Sequence, residues 1–147
     1  MAQQTLGQVI EVATFREALR HFLRQSETVA ARHGLTPQRY LLLLMIKGAP
    51  DGTQRSTVTQ LTHRLQLAQH TVTELVARAE QAGLIRREAS SRDRRMSHLA
   101  LTAKGERKLG ATFQDLEVDR QALRVIIDGI ARHRARRTSR SARRTSQ

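Results

Sequence analysis

Apolar residues recur at every third or fourth position in the first part of the chain, from about Gly7 to His33. This spacing places them on one face of a helix. Gly34 supplies a left-handed stop, and Thr36-Pro37 is typical of a new helix, with threonine as N-cap and proline at the first helical position. The run Tyr40–Ile46 is apolar on all sides. Its leucine content and its Thr-Pro start predict a central, buried helix rather than a strand.

Two short helices joined by a tight turn are predicted next. Thr57 and Gln60 have the spacing of a capping box and begin a helix that extends to about Leu65. A second helix, from about Gln69 to Ala82, ends at Gly83, where a left-handed residue is expected. Two helices so closely linked predict a helix-turn-helix.

The second of these helices has one apolar and one polar side. Its apolar side consists of Val72, Leu75, Val76 and Ala79. Its other side presents the candidate DNA-binding residues Gln69, His70, Thr73, Glu74 and Arg78. The polar positions cluster towards the N-terminus, which is where a recognition helix meets base edges. An ordinary surface helix pair has the same pattern, so this segment alone leaves both interpretations open.

A short hairpin with arginines at its tip follows. Leu84–Ala89 and Met96–Leu101 read as two strands, and the second alternates apolar and other residues as a half-buried strand does. The turn between them holds the further candidate DNA-binding residues Arg92, Asp93, Arg94 and Arg95. Alone, such a turn is more often a solvated charged loop than a functional one. Behind a helix-turn-helix it predicts a winged helix, whose tip arginine suits the narrow minor groove of DNA.

After Thr102 the pattern predicts one long helix, or two with a break, reaching about Ala131. A nearly heptad apolar stripe runs along it, with Arg120 at one polar position: Leu109, Phe113, Leu116, Leu123, Ile127 and Ile130. Such a stripe packs either on a partner or on the chain's own core. Because the first helix also carries more apolar surface than one small domain needs, we expect terminal dimerisation helices flanking the winged helix. The candidate dimerisation residues are Phe15, Leu19, Leu116, Leu123, Ile127 and Ile130.

The net charge and its distribution indicate the class of molecule that the protein binds. The 147 residues carry a net charge of +13, and residues 132–147 hold seven arginines and no acid. We predict an ordered domain over residues 1–131 and a disordered basic tail over 132–147, which either attracts phosphates or only improves solubility. A basic balance favours a polyanion. Only 3% of the residues are aromatic, and all of them lie within apolar patterns. Because single-stranded nucleic acids are bound by stacking on exposed aromatic rings, double-stranded DNA is the expected partner.

Several other classes of function are excluded. The chain has no cysteine, which excludes disulfides and thiolate metal sites. No apolar run is long enough for a membrane span, and the N-terminus does not resemble a signal peptide, so a cytoplasmic protein without membrane contact is expected. The six histidines are scattered, and there is no nucleophile–base pair or cofactor loop. We therefore predict no catalytic or metal-ligating residue, no cofactor and no enzyme activity.

The chain resembles the MarR-type winged-helix transcription regulators over about residues 10–130. The resemblance is carried by Leu35–Tyr40, Leu61–Val76, Gly83–Arg87, Asp93–Arg95 and Leu99–Gly105, the stretch from Gly83 to Gly105 being the most specific. It implies a homodimer joined through its terminal helices and bound to a pseudo-palindromic operator, more as a repressor than as an activator. It also implies a small-molecule effector of unidentified kind, held between the dimer helices and the winged helix.

Residue roles follow from the same resemblance. It implies that Gln69, His70 and Thr73 face bases or nearby phosphates and that Arg78 supports backbone contacts. It also makes Arg95 the minor-groove arginine, with Asp93 paired to it. One departure from the family is Ala68, where a serine often caps the recognition helix. The alternative that we retain is a non-specific, architectural DNA-binding protein driven by positive charge.

Overall fold

A computed structural model describes residues 5–90, 92–93 and 96–144, with the backbone alone for 133, 134 and 136–144. This part of the chain forms helices and one two-stranded sheet in the following order: α1 Leu6–Arg32, α2 Pro37–Lys47, α3 Val58–Leu65, α4 Gln69–Gln81, β1 Ile85–Ala89, β2 Ser97–Leu101, α5 Ala103–Asp115 and α6 Glu117–Arg144. The predicted class, mainly helical with a small hairpin, is confirmed. Of the described helices, none has the length and apolar character that crossing a bilayer requires.

The chain divides into two compact units. The winged-helix unit comprises residues 27–115, which include α2 to α5 and the sheet. The terminal-helix unit comprises the two ends of the chain, up to Ser26 and from Leu116. Its helices are α6 and all of α1 except the last turns.

One hydrophobic core holds the winged-helix unit together. The central helix α2 contacts α3, α4, α5 and β2, as its all-round apolar sequence predicts. Its side chains Leu42, Leu43 and Ile46 are fully buried. They pack in the same cluster as buried side chains from the other elements, including Leu61, Val72, Val76, Leu99 and Leu109. Because a fully buried aliphatic side chain contributes about 1.5–3 kcal/mol, this cluster fixes the relative positions of α3, α4 and the hairpin.

Helix ends follow the sequence signals. The Thr36 side chain accepts the N–H of Arg39 at 3.2 Å. At the start of α3, Gln60 N–H donates to Thr57 Oγ1 at 3.2 Å while Thr57 N–H donates to Gln60 Oε1 at 2.8 Å, which completes the capping box. Gly83 ends α4 at φ +71°. These interactions set where each helix of the helix-turn-helix begins and ends.

A backbone pairing that no sequence pattern indicates joins the hairpin to the segment before α3. Ser56 and Leu99 exchange both backbone hydrogen bonds, at 2.8 and 3.1 Å. The β2 residues Leu99, Ala100 and Leu101 are all buried, so the predicted alternation holds at Leu99 and Leu101 but Ala100 is covered as well. The hairpin is therefore fixed to the protein body along β2.

The start of α5 lies against the end of α4. Thr102 Oγ1 accepts the N–H of Gly105 at 3.1 Å and donates to the Gly83 carbonyl oxygen, which confirms Thr102 as a helix start. A Cβ on Gly105 would lie 2.1 Å from the carbonyl oxygen of Leu84. Only glycine lets the two segments approach so closely. This contact closes the base of the hairpin.

The C-terminal apolar stripe is interrupted. Of the two predicted alternatives, one long helix or two with a break, the chain has the second, with α5 and α6 separated at Leu116. Leu109 is buried in the core of the winged-helix unit, whereas Phe113 is 46% exposed.

The end of α6 at Arg144 does not coincide with the predicted domain end at residue 131. No proline or glycine follows Gly129 to stop the helix. That residues 132–147 are disordered stays a prediction.

Candidate nucleic-acid interface

The helix-turn-helix consists of α3, a three-residue turn and α4. Gln66 ends α3 with a left-handed backbone, at φ 54° and ψ 41°. This sharp reversal brings α4 across α3, and both pack on α2. The predicted positions of both helices are confirmed to within one residue.

The two sides of α4 differ as the sequence predicts. Val72, Leu75, Val76 and Ala79 are buried. The side chains of Gln69, His70, Thr73, Glu74 and Arg78 are exposed, and we name these five residues the recognition face. Its N-terminal residues carry amide, imidazole and hydroxyl groups, which can bond to base edges or to phosphates.

Two contacts within the recognition face hold its side chains. Thr73 Oγ1 donates to the carbonyl oxygen of Gln69 at 2.9 Å, so this hydroxyl meets another molecule as an acceptor. Arg78 lies 3.9 Å from the carboxylate of Glu74, with both side chains about 70% exposed. Such an exposed pair contributes only about 0.3–0.5 kcal/mol. Arg78 therefore leaves Glu74 at small cost when a phosphate is offered.

The N-terminus of α4 has no side-chain cap. Ala68 has the extended backbone of an N-cap residue, at φ −64° and ψ 148°, but makes no side-chain hydrogen bond. The first-turn N–H groups of a helix lack intrahelical acceptors and attract anions. At this helix end, where Ala68 departs from the family pattern, no side-chain cap occupies those donors.

The hairpin forms the wing. Its strands pair antiparallel from Ile85 opposite Leu101 to Ala89 opposite Ser97. In the turn, Arg92 and Asp93 are exposed, and the backbone N–H of Asp93 lies 3.5 Å from the hydroxyl of Ser90. Arg94 and Arg95 lie outside the described residues. The expected pairing of Asp93 with Arg95 therefore stays a prediction.

A cluster of charges along strand β1 of the wing was missed by the sequence reasoning. The carboxylate of Glu88, on β1, contacts both Arg55 at 2.9 Å and Arg86 at 2.8 Å. On the same strand, Arg87 contacts Glu80 of α4 at 2.9 Å. Only the Arg86–Glu88 spacing is visible locally, because the other two pairs join residues that are distant in sequence. These ion pairs link the wing to α4 and to the segment before α3.

The predicted dimerisation residues differ in exposure. Phe15, Leu19, Leu123 and Ile130 are half-buried, and Ile127 is 43% exposed. Leu116 is fully buried within the single chain, so it supports the packing of its own protomer and offers no free surface to a partner. Other apolar side chains of the terminal-helix unit, which are not among the predicted dimerisation residues, are more than half exposed: Leu6, Val9, Ile10, Val12, Leu23, Val118 and Val125.

Comparisons with known proteins agree with this geometry. Residues 33–96 match the model of the MarR family. Among proteins of curated function, none matches the sequence.

Similar solved structures cover most of the chain. AbsC, a MarR family transcriptional regulator from Streptomyces coelicolor, is 18% identical over 100% of both chains, with a TM-score of 0.69. A mutant of MarR from E. coli, complexed with operator DNA, is 17% identical over 82% of this chain and 85% of that chain, with a TM-score of 0.62. MarR from Staphylococcus aureus, in complex with salicylate and kanamycin, is 23% identical over 82% of this chain and 77% of that chain, with a TM-score of 0.64.

At these identities the structural likeness shows the fold. The resemblance to the MarR family is therefore confirmed over residues 33–96 by the family model, and over most of the chain the fold is the winged-helix fold of MarR family regulators.

Proposed function

We propose that this protein is a sequence-specific double-stranded DNA-binding regulator that represses transcription as a homodimer on a pseudo-palindromic operator. The observation that carries the proposal is the recognition face, where five polar side chains are exposed on a helix whose opposite side is buried. A surface helix needs no such grouping of amide, imidazole and hydroxyl groups at its N-terminal end. A recognition helix does, because that end enters the major groove.

In the proposed complex, different residues supply affinity and specificity. Arginines of the wing and Arg78 bind phosphates, which fixes the register without reading sequence. Gln69 is suited to paired hydrogen bonds with adenine, and His70 and Thr73 to neighbouring base edges. Arg95 enters the minor groove, where the potential is most negative in narrow A-tracts. The operator DNA in the related E. coli complex supports this type of partner.

Dimerisation through the terminal-helix unit rests on its exposed apolar side chains. Within this unit, an open groove of about 400 Å³ is lined by Ile10 and Thr14 of α1 and by Gly129 and Ile130 of α6. A contiguous exposed apolar patch is typical of an interaction site, and we infer that the exposed apolar side chains of this unit form one. A dimer would bring two recognition faces onto half-sites one helical turn apart, about 10 base pairs centre to centre.

The second candidate, a non-specific architectural DNA-binding protein, is favoured by the net charge of +13 and the seven arginines of residues 132–147. Selection of bound duplexes from a random library separates the two functions. We expect enrichment of an inverted repeat with that half-site spacing, and enrichment of the same repeat by a variant truncated after Ala131, with a weaker salt dependence. An unenriched pool would support the architectural function instead.

A further inference from the structure

A polar cavity of about 280 Å³ lies beside the turn end of the wing's two strands, inside the winged-helix unit. Its walls come from the segment before α3, the first turn of α3 and the ends of the two strands. The side chains that matter are Asp51, Thr53, Arg55, Gln60, Ser90 and His98. The proposed DNA-binding mechanism uses none of them.

The carboxylate of Asp51 contributes negative charge to the lining of the cavity. Asp51 Oδ1 accepts both the N–H of Thr53 at 3.0 Å and the hydroxyl of Thr53 at 2.7 Å. These hydrogen bonds from Thr53 lower the pKa of the Asp51 carboxyl below its ordinary value of 3.8. The group is therefore a carboxylate at neutral pH and presents a fixed acceptor for a cation.

The guanidinium of Arg55 contributes positive charge to the same lining. Arg55 contacts Glu88 through Nε, and Glu88 also contacts Arg86. Two guanidinium groups that share one carboxylate leave one positive charge in excess. The terminal nitrogens of a guanidinium can donate two parallel hydrogen bonds to a carboxylate. Arg55 therefore suits an anionic group of a ligand.

Because the lining holds one group of each sign, Asp51 and Arg55, a ligand with a single charge finds an opposite charge at only one of them. We propose that this cavity binds a free α-amino acid, with its ammonium group at Asp51 and its carboxylate at Arg55. The volume agrees with such a ligand, since it lies just below the roughly 300–1,000 Å³ of pockets for drug-sized molecules. The ligand would act as the effector of the proposed regulator, and that consequence rests on the proposed function.

A ligand bound in the cavity acts on the wing and, through the wing, on DNA binding. Arg55 adjoins Ser56, whose backbone is paired with Leu99 of β2, and Arg55 itself is paired with Glu88 of β1. A carboxylate bound at Arg55 competes with Glu88 and changes how the wing is held. We expect the ligand to change operator affinity by about 5- to 150-fold, the usual range for coupled sites.

The test begins without DNA. Calorimetric titration at pH 7 of the full chain with each of the twenty protein amino acids is expected to show saturable binding of at least one of them. Ethylammonium and acetate, which carry only one of the two charges, are expected to bind at least tenfold more weakly. Asp51→Asn, which retains an acceptor for Thr53, and Arg55→Gln are each expected to abolish binding. Asp128→Asn, the same charge change on the exposed surface of α6, is expected to leave it unchanged.

The proposal is overturned if no amino acid binds, if ethylammonium or acetate binds equally well, or if Asp128→Asn removes binding as Asp51→Asn does. Operator affinity is then measured with and without the bound amino acid. Amino-acid binding without any DNA binding would refute the proposed function and leave the site intact. Operator binding by a chain that binds no amino acid would refute the site alone.

Discussion

Replacing Gly105 by alanine tests the packing that closes the base of the wing. The added Cβ would lie 2.1 Å from the Leu84 carbonyl oxygen. Real Cβ atoms essentially never lie closer than 3.0 Å to another heavy atom, so the overlap is about 1 Å. That oxygen cannot move freely, because it accepts the N–H of Thr102 at 3.0 Å. The backbone of α5 or of Leu84 must therefore shift.

The expected cost follows from two opposing effects. Alanine in place of a helical glycine gains about 0.5–1 kcal/mol, whereas an overpacked contact costs about 1–3 kcal/mol and sometimes more. The larger effect is the overlap, since the obstacle is backbone rather than a flexible side chain. With the overlap at the upper end of that range, about 3 kcal/mol, and the alanine gain subtracted, we expect Gly105→Ala to lower the free energy of unfolding by about 2–2.5 kcal/mol, with a fall in melting temperature of about 4 °C per kcal/mol.

The same helix offers a matched control. A Cβ on Gly110 would meet nothing within 4 Å, so Gly110→Ala should raise the free energy of unfolding by about 0.5–1 kcal/mol. Urea unfolding followed by circular dichroism measures both variants against the parent. If Gly105→Ala proved as stable as the parent, the close approach of α5 to Leu84 would be wrong.

Three further predictions concern the interface and the terminal-helix unit. Arg95→Ala should weaken operator binding by about 1–3 kcal/mol in a fluorescence anisotropy titration. The control is Arg107→Ala, on the exposed surface of α5. Unchanged binding by the Arg95 variant would refute the minor-groove role of Arg95. Ala68→Ser should raise stability to urea by about 0.5–2 kcal/mol, because its hydroxyl caps α4; a loss would mean that the N-cap geometry is wrong. Hydrogen bonds from Arg120 and then Gln121 lower the pKa of Glu117 below its ordinary value of 4.5. The ionised group therefore stabilises the fold above that pH and ceases to do so as the pH falls. Glu117→Gln should make the free energy of unfolding fall less steeply in acid, and an equally steep fall in the variant and the parent would contradict this.

Local signals in the sequence predicted most of the helix boundaries. Thr36, Thr57 and Gly83 each act within three or four residues of their own position, through side-chain or backbone hydrogen bonds that the residue type dictates. The two sides of α4 were predictable for the same reason, since helical periodicity alone decides which residues face the core. The recognition face is therefore the part of the candidate site that the sequence predicts best.

Contacts between distant segments were not predictable. The pairing of Ser56 with Leu99 involves a single residue outside any strand pattern, and the ion pair of Arg55 with Glu88 depends on the same juxtaposition. The apolar stripe was misleading as a continuous interface because Leu109 and Leu116 are buried in the protomer. Periodicity reports that a face is apolar, but it does not report what covers that face.

The central claim, sequence-specific reading of double-stranded DNA, is tested most directly by the ratio of two dissociation constants. Kd is measured at one physiological salt concentration for a duplex enriched from the random library and for a scrambled duplex of equal length and composition. We expect the enriched duplex to bind at least about 10³-fold more tightly. A ratio near one would show that charge alone holds the DNA and would contradict sequence-specific binding.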